Sequence, residues 1–258
     1  MPNVLYGANK QGLIVFGGER SDNYGMVVSA PPSFERARRK QTIFSVPGRS
    51  GNVVFQEDAW EDVPRTYDVF IDENIQEDSG GNIVSGTLSE RVNNFEAMLN
   101  SKNGYQRLTD NFEPDYYRLA LYSGGDTFTN ELLTVGRATL NFTCNPKRFL
   151  VSGETGIVVT NGDSLVNPTK FASKPLIKIE ATNKTVSVAI NGKTITTEVA
   201  DYIYIDCDKM NAYRLATENR NDKVSGDLET FAIPSGTSTV GITGTPTKVT
   251  ITPNWFTI

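Results

Sequence analysis

The chain has 258 residues and a formal net charge of −5, with 38% hydrophobic and 21% charged residues. This length allows one large or two ordinary domains, and the composition is typical of a soluble globular protein rather than a disordered or membrane-spanning one. The weakly acidic charge argues against nucleic-acid binding by bulk electrostatics, which depends on clustered Lys and Arg. Apolar runs such as residues 12–16 are far shorter than the roughly 20 residues of a transmembrane helix, and we expect no signal peptide.

Histidine is absent from the chain. Its absence excludes nucleophiles activated by histidine and histidine-ligated metal sites, and it removes the commonest general base near neutral pH. Carboxylate chemistry stays open, but we expect a protein that is not an enzyme, with no catalytic residue, no cofactor and no metal ligand. The cysteines, Cys144 and Cys207, lie in strand-like apolar stretches, and we expect two buried thiols rather than a disulfide.

Most of the chain shows the two-residue periodicity of β-strands. The strongest local signal is Asn191-Gly192, because this pair favours positive φ at both turn positions and so predicts a tight hairpin. Residues 202–205 and 248–252 predict further strands. The alternating positions are Val53 and Phe55; Tyr67, Val69 and Ile71; Val186, Val188 and Ile190; and Ile195, Thr197 and Val199.

One segment departs from this pattern and predicts a helix over residues 89–101. Thr87 and Glu90 fit a capping box at its start, and Gly104 fits a cap at its end. We expect the helix to cover one face of a sheet. Its apolar face consists of Leu88, Val92, Phe95 and Leu99, spaced four, three and four residues apart.

The composition changes after residue 146, and residues 152–168 are rich in Gly, Ser, Thr and Asn. Strand-like segments resume near Leu176. We therefore predict a mainly β protein with two domains, residues 1–150 and residues 151–258. The first is β-rich and carries the helix, whereas the short strands of the second favour an all-β sandwich or barrel.

Two short motifs in the first half have both a functional and a structural interpretation. Residues 46–51, Val-Pro-Gly-Arg-Ser-Gly, lack the Lys-Ser/Thr ending of a phosphate-binding loop, and we interpret them as a turn between strands. Residues 35–40, Glu-Arg-Ala-Arg-Arg-Lys, form a basic run. In an acidic chain this run favours a solvated or edge strand, or a contact to a protein partner, over nucleic-acid binding.

Two acidic clusters follow, at residues 57–62 and 72–78. Paired carboxylates support glycoside hydrolysis and clustered ones bind Ca²⁺, but no two of these acids stand out as a pair and their spacing differs from an EF-hand loop. The second cluster runs into residues 79–82, a sequence typical of a flexible turn. We interpret both clusters as solvated hairpin or loop segments.

Aromatic residues of the second half could stack on sugar rings where they are exposed. Aromatic side chains at strand positions are more often part of the core, and we expect Trp255 to seal one edge of the domain. Sugar binding is therefore the weaker interpretation of this set. The set comprises Tyr202, Tyr204, Tyr213, Phe231, Trp255 and Phe256.

A series of segments occurs in a specific order along nearly the whole chain. The segments are residues 46–51, strands through 68–72, residues 104–108, 113–120 and 138–146, and then residues 167–177, 202–208 and 252–255. In order and separation they resemble the distal tail protein family of siphophages, the long-tailed bacteriophages. The acidic region at residues 72–86 departs from the family pattern in length.

The resemblance implies a structural protein of the virion, located at the distal end of the tail and assembled in the host cytoplasm. Its N-terminal domains would form a homohexameric ring, and its C-terminal domains would be galectin-like β-sandwiches that project outward. The implied partners are the tail tube protein, the tail-associated hub protein and receptor-binding or other baseplate proteins. DNA would pass through the lumen without specific binding. We hypothesise that the acidic clusters line this lumen and repel the DNA.

Two other functions stay open. A carbohydrate-binding module for attachment to a host cell wall is compatible with a galectin-like domain, although galectin-type sugar sites commonly use a histidine and a fold does not establish a function. A carboxylate glycosidase that helps to degrade the wall is the other alternative. A six-fold ring with a central hole would distinguish the ring subunit from both.

Overall fold

The computed structural model describes residues 12–33, 35–78, 80–124, 128–132, 135–215 and 217–258. The chain divides into two compact units, Met1–Arg148 with Ile258, and Phe149–Thr257. Both units consist mainly of β-strands, which confirms the predicted mainly β fold class. The roles predicted for residues 1–150 and 151–258, ring formation and a galectin-like domain, stay predictions. Within the described ranges, no helix has the length and apolar character that crossing a membrane requires.

The described part of the first unit contains one α-helix, α1 (Leu88–Asn100), and a short 3₁₀ helix at Ser21–Tyr24. Its strands are β1 (Ile14–Phe16), β2 (Glu19–Arg20), β3 (Met26–Val28), β4 (Arg39–Ser45), β5 (Asn52–Trp60), β6 (Val63–Asp72), β7 (Gln106–Asp110), β8 (Tyr116–Tyr122), β9 (Thr129–Leu132) and β10 (Val135–Leu150), which ends in the second unit. The main sheet has the order β2-β1-β7-β8-β10-β6-β3, with β9 also paired to β10, whereas β4 and β5 form a separate two-stranded sheet.

The helix α1 covers the core face of the main sheet, as the sequence predicts. Its residues Phe95 and Leu99 are buried in one apolar cluster with strand residues such as Tyr67 and Ile71. The helix lies within one residue of its predicted bounds at both ends.

The capping box at the start of α1 is confirmed. The Glu90 N–H donates to the Thr87 hydroxyl at 3.4 Å, and the Thr87 N–H donates to the Glu90 carboxylate at 2.9 Å. The predicted glycine cap is wrong, because the helix ends three residues before Gly104 on Ser101, whose N–H donates to helix carbonyls. Gly104 has φ of +68° and lies in the turn that leads to β7.

The second unit is a sandwich of two five-stranded antiparallel sheets. Its strands are β11 (Ile157–Val159), β12 (Ser164–Asn167), β13 (Leu176–Glu180), β14 (Lys184–Ile190), β15 (Lys193–Val199), β16 (Tyr202–Asp206), β17 (Asn211–Tyr213), β18 (Val224–Ser225), β19 (Gly236–Thr243), β20 (Lys248–Thr252) and β21 (Phe256–Thr257), with 3₁₀ helices at Val151–Glu154 and Asn221–Lys223. The sheet orders are β11-β20-β13-β16-β17 and β12-β19-β14-β15-β18, and their inner faces share one apolar core.

The predicted Asn-Gly hairpin joins β14 to β15. Asn191 and Gly192 have φ of +49° and +74°, as a type I′ turn requires. Ile190 pairs with Lys193 directly across the turn, which fixes the register of the two strands. Each strand then alternates buried and more exposed residues, so that one face enters the core.

A network of buried charges lies in the core of the first unit. Arg65 occupies a core-facing position of β6 with only 2% of its side chain exposed, and its Nη2 lies 2.8 Å from Asp110 Oδ2 and 3.2 Å from Glu113 Oε2. The Tyr67 hydroxyl donates to the same Asp110 oxygen at 2.7 Å. Burial, followed by the Asp110 charge, raises the pKa of Tyr67 well above its usual range, so the phenol stays a neutral donor.

Two further arginines complete the network around Glu113. Arg118 Nη1 lies 2.9 Å from Glu113 Oε2, and Arg148 Nη1 lies 2.6 Å from Glu113 Oε1. The network therefore joins β6, the end of β7, β8 and β10. Arg65 also donates to the Ser33 carbonyl at 3.4 Å, which ties the segment before β4 to the strand that follows β5.

We expect the Arg65→Met substitution to lower the free energy of unfolding by about 3–5 kcal/mol, because it leaves the buried Asp110 carboxylate without its cation. Arg65→Lys keeps the charge but loses the planar fork, and we expect an intermediate loss. Chemical denaturation measures both, with the exposed Arg38→Met as a control that changes stability by less than about 0.5 kcal/mol. A loss below about 1 kcal/mol for Arg65→Met would contradict this role.

Both cysteines are free and fully buried, as predicted. Cys144 lies in the core of the first unit and Cys207 in that of the second. Burial raises the pKa of Cys144 to about 11 and that of Cys207 to about 12.

A thiol whose pKa is higher in the folded protein than in the unfolded chain stabilises the folded state. This stabilisation is complete at any pH below the pKa of the unfolded chain, and it is lost as the pH rises through the pKa of the folded protein. We therefore expect the stability of the protein to fall between about pH 9 and pH 11 more steeply than that of the Cys144→Ala/Cys207→Ala variant. Denaturation midpoints of both proteins across this range measure the difference. Parallel curves would show that the thiols make no such contribution.

Candidate functional site

The most unusual surface of the first unit is a hairpin arm, which we define as β4, β5 and the turn at residues 46–51. The turn predicted for this motif is confirmed: the Arg49 N–H donates to the Val46 carbonyl at 3.2 Å, and Gly48 and Gly51 have φ of +78° and +86°. Among the described residues, β4 and β5 pair with each other and with no other strand. A two-stranded hairpin without further support is marginally stable in water.

The arm exposes apolar side chains on both of its faces. Thr42 pairs with Phe55, and Phe44 pairs with Val53, so the two phenylalanines share one face, with ring centroids 5.7 Å apart. Ile43 and Val54 form a pair on the opposite face. Of the thirteen exposed large hydrophobic residues in the described ranges, five lie in the arm: Ile43 (53%), Phe44 (53%), Val46 (40%), Val54 (49%) and Phe55 (61%).

The sequence pattern predicted one alternating strand face with Val53 and Phe55, but it did not mark the arm as an exposed surface. Val54 between them is also apolar, and every residue of β4 is exposed. A run of adjacent apolar residues is typical of a strand that is covered on both faces. This run is the signal in the sequence that could have marked the arm as a segment that needs a partner. In this chain by itself, neither face is covered.

The base of the arm separates charge between its two strands. The basic run at residues 35–40 leads into β4, and the acidic cluster at residues 57–62 ends β5 and forms the turn to β6. Within the chain, Arg39 lies over the Trp60 ring at 5.2 Å and 3.8 Å from Asp58. The basic run is therefore a solvated segment that continues into an open strand, which is one of its two predicted interpretations.

The second acidic cluster belongs to a compact loop held from inside by Arg91 of α1. The Arg91 guanidinium is buried and donates all of its hydrogen bonds to backbone carbonyls of the loop. Gly25 leaves room for it, since a Cβ there would lie 2.5 Å from Arg91 Nη1. The accepting carbonyls are those of Asp72, Glu73, Ile75, Val84 and Gly86, at 2.7–3.2 Å.

The turn expected after this cluster is present in the residues that the structure describes, and its flexibility stays a prediction. The Asp78 carboxylate accepts hydrogen bonds from the N–H groups of Gly80 and Asn82 and from the Asn82 side chain, each at 2.8 Å. The Asn82 side chain is the main cause of a lowered Asp78 pKa. The loop exposes Ile83 at 82%.

In the described ranges, no group of three or more cysteine and carboxylate side chains is arranged to hold a metal ion. The placement of these clusters along a lumen stays a prediction.

The aromatic residues singled out in the second half divide between core and surface. Phe231 and Trp255 are buried in the sandwich core, and Phe256 stacks on Phe171 with ring centroids 5.6 Å apart. Tyr202 and Tyr204 point to the outer face of β16, because Ile203 and Ile205, which alternate with them, are buried.

The outer tyrosines form a row in which each ring contacts a neighbouring side chain. Tyr204 stacks on Tyr213 at 5.4 Å, and Arg214 and Lys178 lie over the Tyr202 ring at 5.4 and 5.6 Å. Sugar stacking needs a free ring face, and these contacts reduce the ring surface that is open to a sugar.

A pocket of about 300 Å³ lies beside this row in the second unit, and its lining includes Tyr202 and four cationic side chains. Three of the four have a carboxylate partner, whereas the fourth, Lys184, is exposed. Arg214 pairs with Asp201, Arg220 pairs with Glu218, and Lys223 lies 3.3 Å from Glu198. An anionic ligand would have to displace these three partners before it could bind all four cations.

No protein-family model and no curated protein sequence matches the chain. Among solved structures, the chain is similar to the crystal structure of the Dit protein (gp 19.1) of phage SPP1, with a TM-score of 0.70 and 12% sequence identity over 96% of this chain and 99% of that one. That protein is described as a paradigm of the hub adsorption apparatus in phages that infect Gram-positive bacteria. The chain therefore has the fold of SPP1 Dit over nearly its whole length, and the predicted resemblance to a distal tail protein is confirmed at the level of the fold.

Proposed function

We propose that this chain is a structural subunit of a bacteriophage tail, a distal tail protein that assembles with copies of itself into a hexameric ring and has no catalytic activity. The fold shared with SPP1 Dit supports a role in the tail. The proposed location is the distal end of the tail in the virion, after assembly in the host cytoplasm.

The ring has further partners in this proposal. It joins a tail tube protein on one side and a tail-associated hub protein on the other, and receptor-binding or other baseplate proteins attach to it. DNA passes through its lumen without specific binding. The sandwich of the second unit is the galectin-like domain that projects outward.

The observation that carries the proposal is the uncovered hairpin arm. Monomeric soluble proteins seldom leave clustered apolar side chains open to water, and such clusters commonly mark surfaces that bind other proteins. Full burial of a side chain such as Phe44 or Phe55 contributes about 1.5–3 kcal/mol. Contact with other copies would cover these side chains and would also support a hairpin that is marginal by itself.

We expect the Phe44→Ser/Phe55→Ser variant to be monomeric under conditions in which the unmodified protein assembles. Loss of two central aromatic anchors should raise the concentration needed for assembly by at least about hundredfold. Native mass spectrometry measures the distribution of oligomers. Below the concentration at which the protein assembles, thermal unfolding should change little, because both side chains are exposed in the single chain.

A matched control is Val166→Ser/Leu215→Ser, which removes two exposed apolar side chains of the second unit, 61% and 54% exposed. This variant should assemble like the unmodified protein. The proposal would fail if the unmodified protein stayed monomeric at high concentration and beside tail partners, or if the arm variant assembled as well as the control.

A further inference from the structure

We infer that arms of successive copies lie head to tail, with the outer edge of β4 in one copy beside the outer edge of β5 in the next. The inference rests on the proposed function, because it takes a second copy of this chain as the partner. The two edges that meet, and the charges that set the direction of the contact, go beyond that function.

The first observation is that exposed charges of opposite sign stay unpaired on opposite strands. In the described part of the chain, Arg38 and Lys40 on the β4 side have no carboxylate within ion-pair distance, and Glu57 and Glu61 on the β5 side have no cation. The hairpin could have paired these charges across its own strands, yet the pair that it forms is that of Arg39 with Asp58. The free charges therefore give the arm one basic and one acidic side.

The second observation is that both edges of the arm are open. Each strand has one partner strand among the described residues, so one edge of β4 and one edge of β5 carry N–H and C=O groups that no other strand satisfies. In a ring whose arms run along its axis, every β4 has the same direction, and the neighbouring β5 runs antiparallel to it. The basic start of β4 and the acidic end of β5 lie at the base of the arm in every copy, so they meet at the same level.

The charge pattern distinguishes this arrangement from a two-fold dimer. Two-fold pairing of arm edges would bring β4 against β4 or β5 against β5. In a parallel pair like charges would face each other, and in an antiparallel pair the charged segments would lie at opposite ends, so in neither pair would opposite charges meet. Head-to-tail contact brings opposite charges within about one strand spacing, roughly 5 Å. A head-to-tail contact closes into a ring when the rotation between copies closes, and closure leaves no open edge.

Affinity and direction have different sources in this interface. Exposed ion pairs contribute little to affinity but select the partner edge and disfavour wrong ones, whereas burial of apolar side chains such as Phe44 and Val54 supplies the affinity. Added salt should therefore weaken the choice of edge more than the apolar contact.

Charge reversal tests the inference on the full chain. One variant is Arg38→Glu/Lys40→Glu and the other is Glu57→Lys/Glu61→Lys; all four positions are exposed, and Arg39, Asp58 and Asp62 are left unchanged because they have partners within the chain. Each variant alone should need at least about hundredfold more protein to assemble, because like charges then face each other across the contact and repel. An equimolar mixture should recover assembly to within about tenfold of the unmodified protein, with the two variants in alternation.

Native mass spectrometry of differently tagged variants measures the composition of the mixed assemblies. The variant that carries all four reversals keeps the net charge and should assemble with itself, which also shows that reversed arms still fold. The inference is overturned if the mixture stays monomeric, or if either reversed variant alone assembles like the unmodified protein. Failure of the unmodified protein to assemble would instead overturn the proposed function, and this inference with it.

Discussion

The buried guanidinium of Arg65 joins the core of the first unit to the base of its hairpin arm. It pairs with Asp110 and Glu113 and also binds the carbonyl of Ser33, which precedes the arm. A charge with only 2% of its side chain exposed is tolerated only when it is paired and hydrogen-bonded, so the neighbouring strands and turn are held to the positions that satisfy it. The two ends of the arm are fixed as a consequence, although the arm itself touches little.

The uncovered arm depends on the fixed position of its base. A hairpin with apolar residues on both faces would be poorly defined in water if its ends were loose, because two strands alone bury too little surface. The base keeps the arm in one place before a partner binds. The partner then binds an ordered surface, so binding does not have to offset the entropy cost of ordering it. The first unit therefore has the physical features of an incomplete part of a larger assembly.

Features that depend on neighbours in sequence were predictable. The Asn191-Gly192 hairpin, the capping box at Thr87 and the bounds of α1 follow from local backbone preferences and periodicity, and the structure contains all three. The turn at residues 46–51 was predictable for the same reason. The buried network was not, because Arg65 and Asp110 lie 45 residues apart and their charges are typical of surface positions until the fold brings them together.

The candidate site was predictable only in part. The sequence marked the basic and acidic segments that flank the arm, but it gave no sign that Phe44 and Phe55 are exposed, since apolar residues in strands are normally buried. Exposure depends on whether another element covers the strand, and that is a property of the fold. Likewise, nothing local indicates that Arg91 binds loop carbonyls from the buried side of α1.

The central claim is that the single chain is one part of a closed assembly that its arms hold together. Electron microscopy of the purified protein, with two-dimensional class averages of single particles, tests it most directly. The account predicts six-fold rings with a central hole. Particles that are monomers, or dimers with two-fold symmetry and no hole, would contradict it.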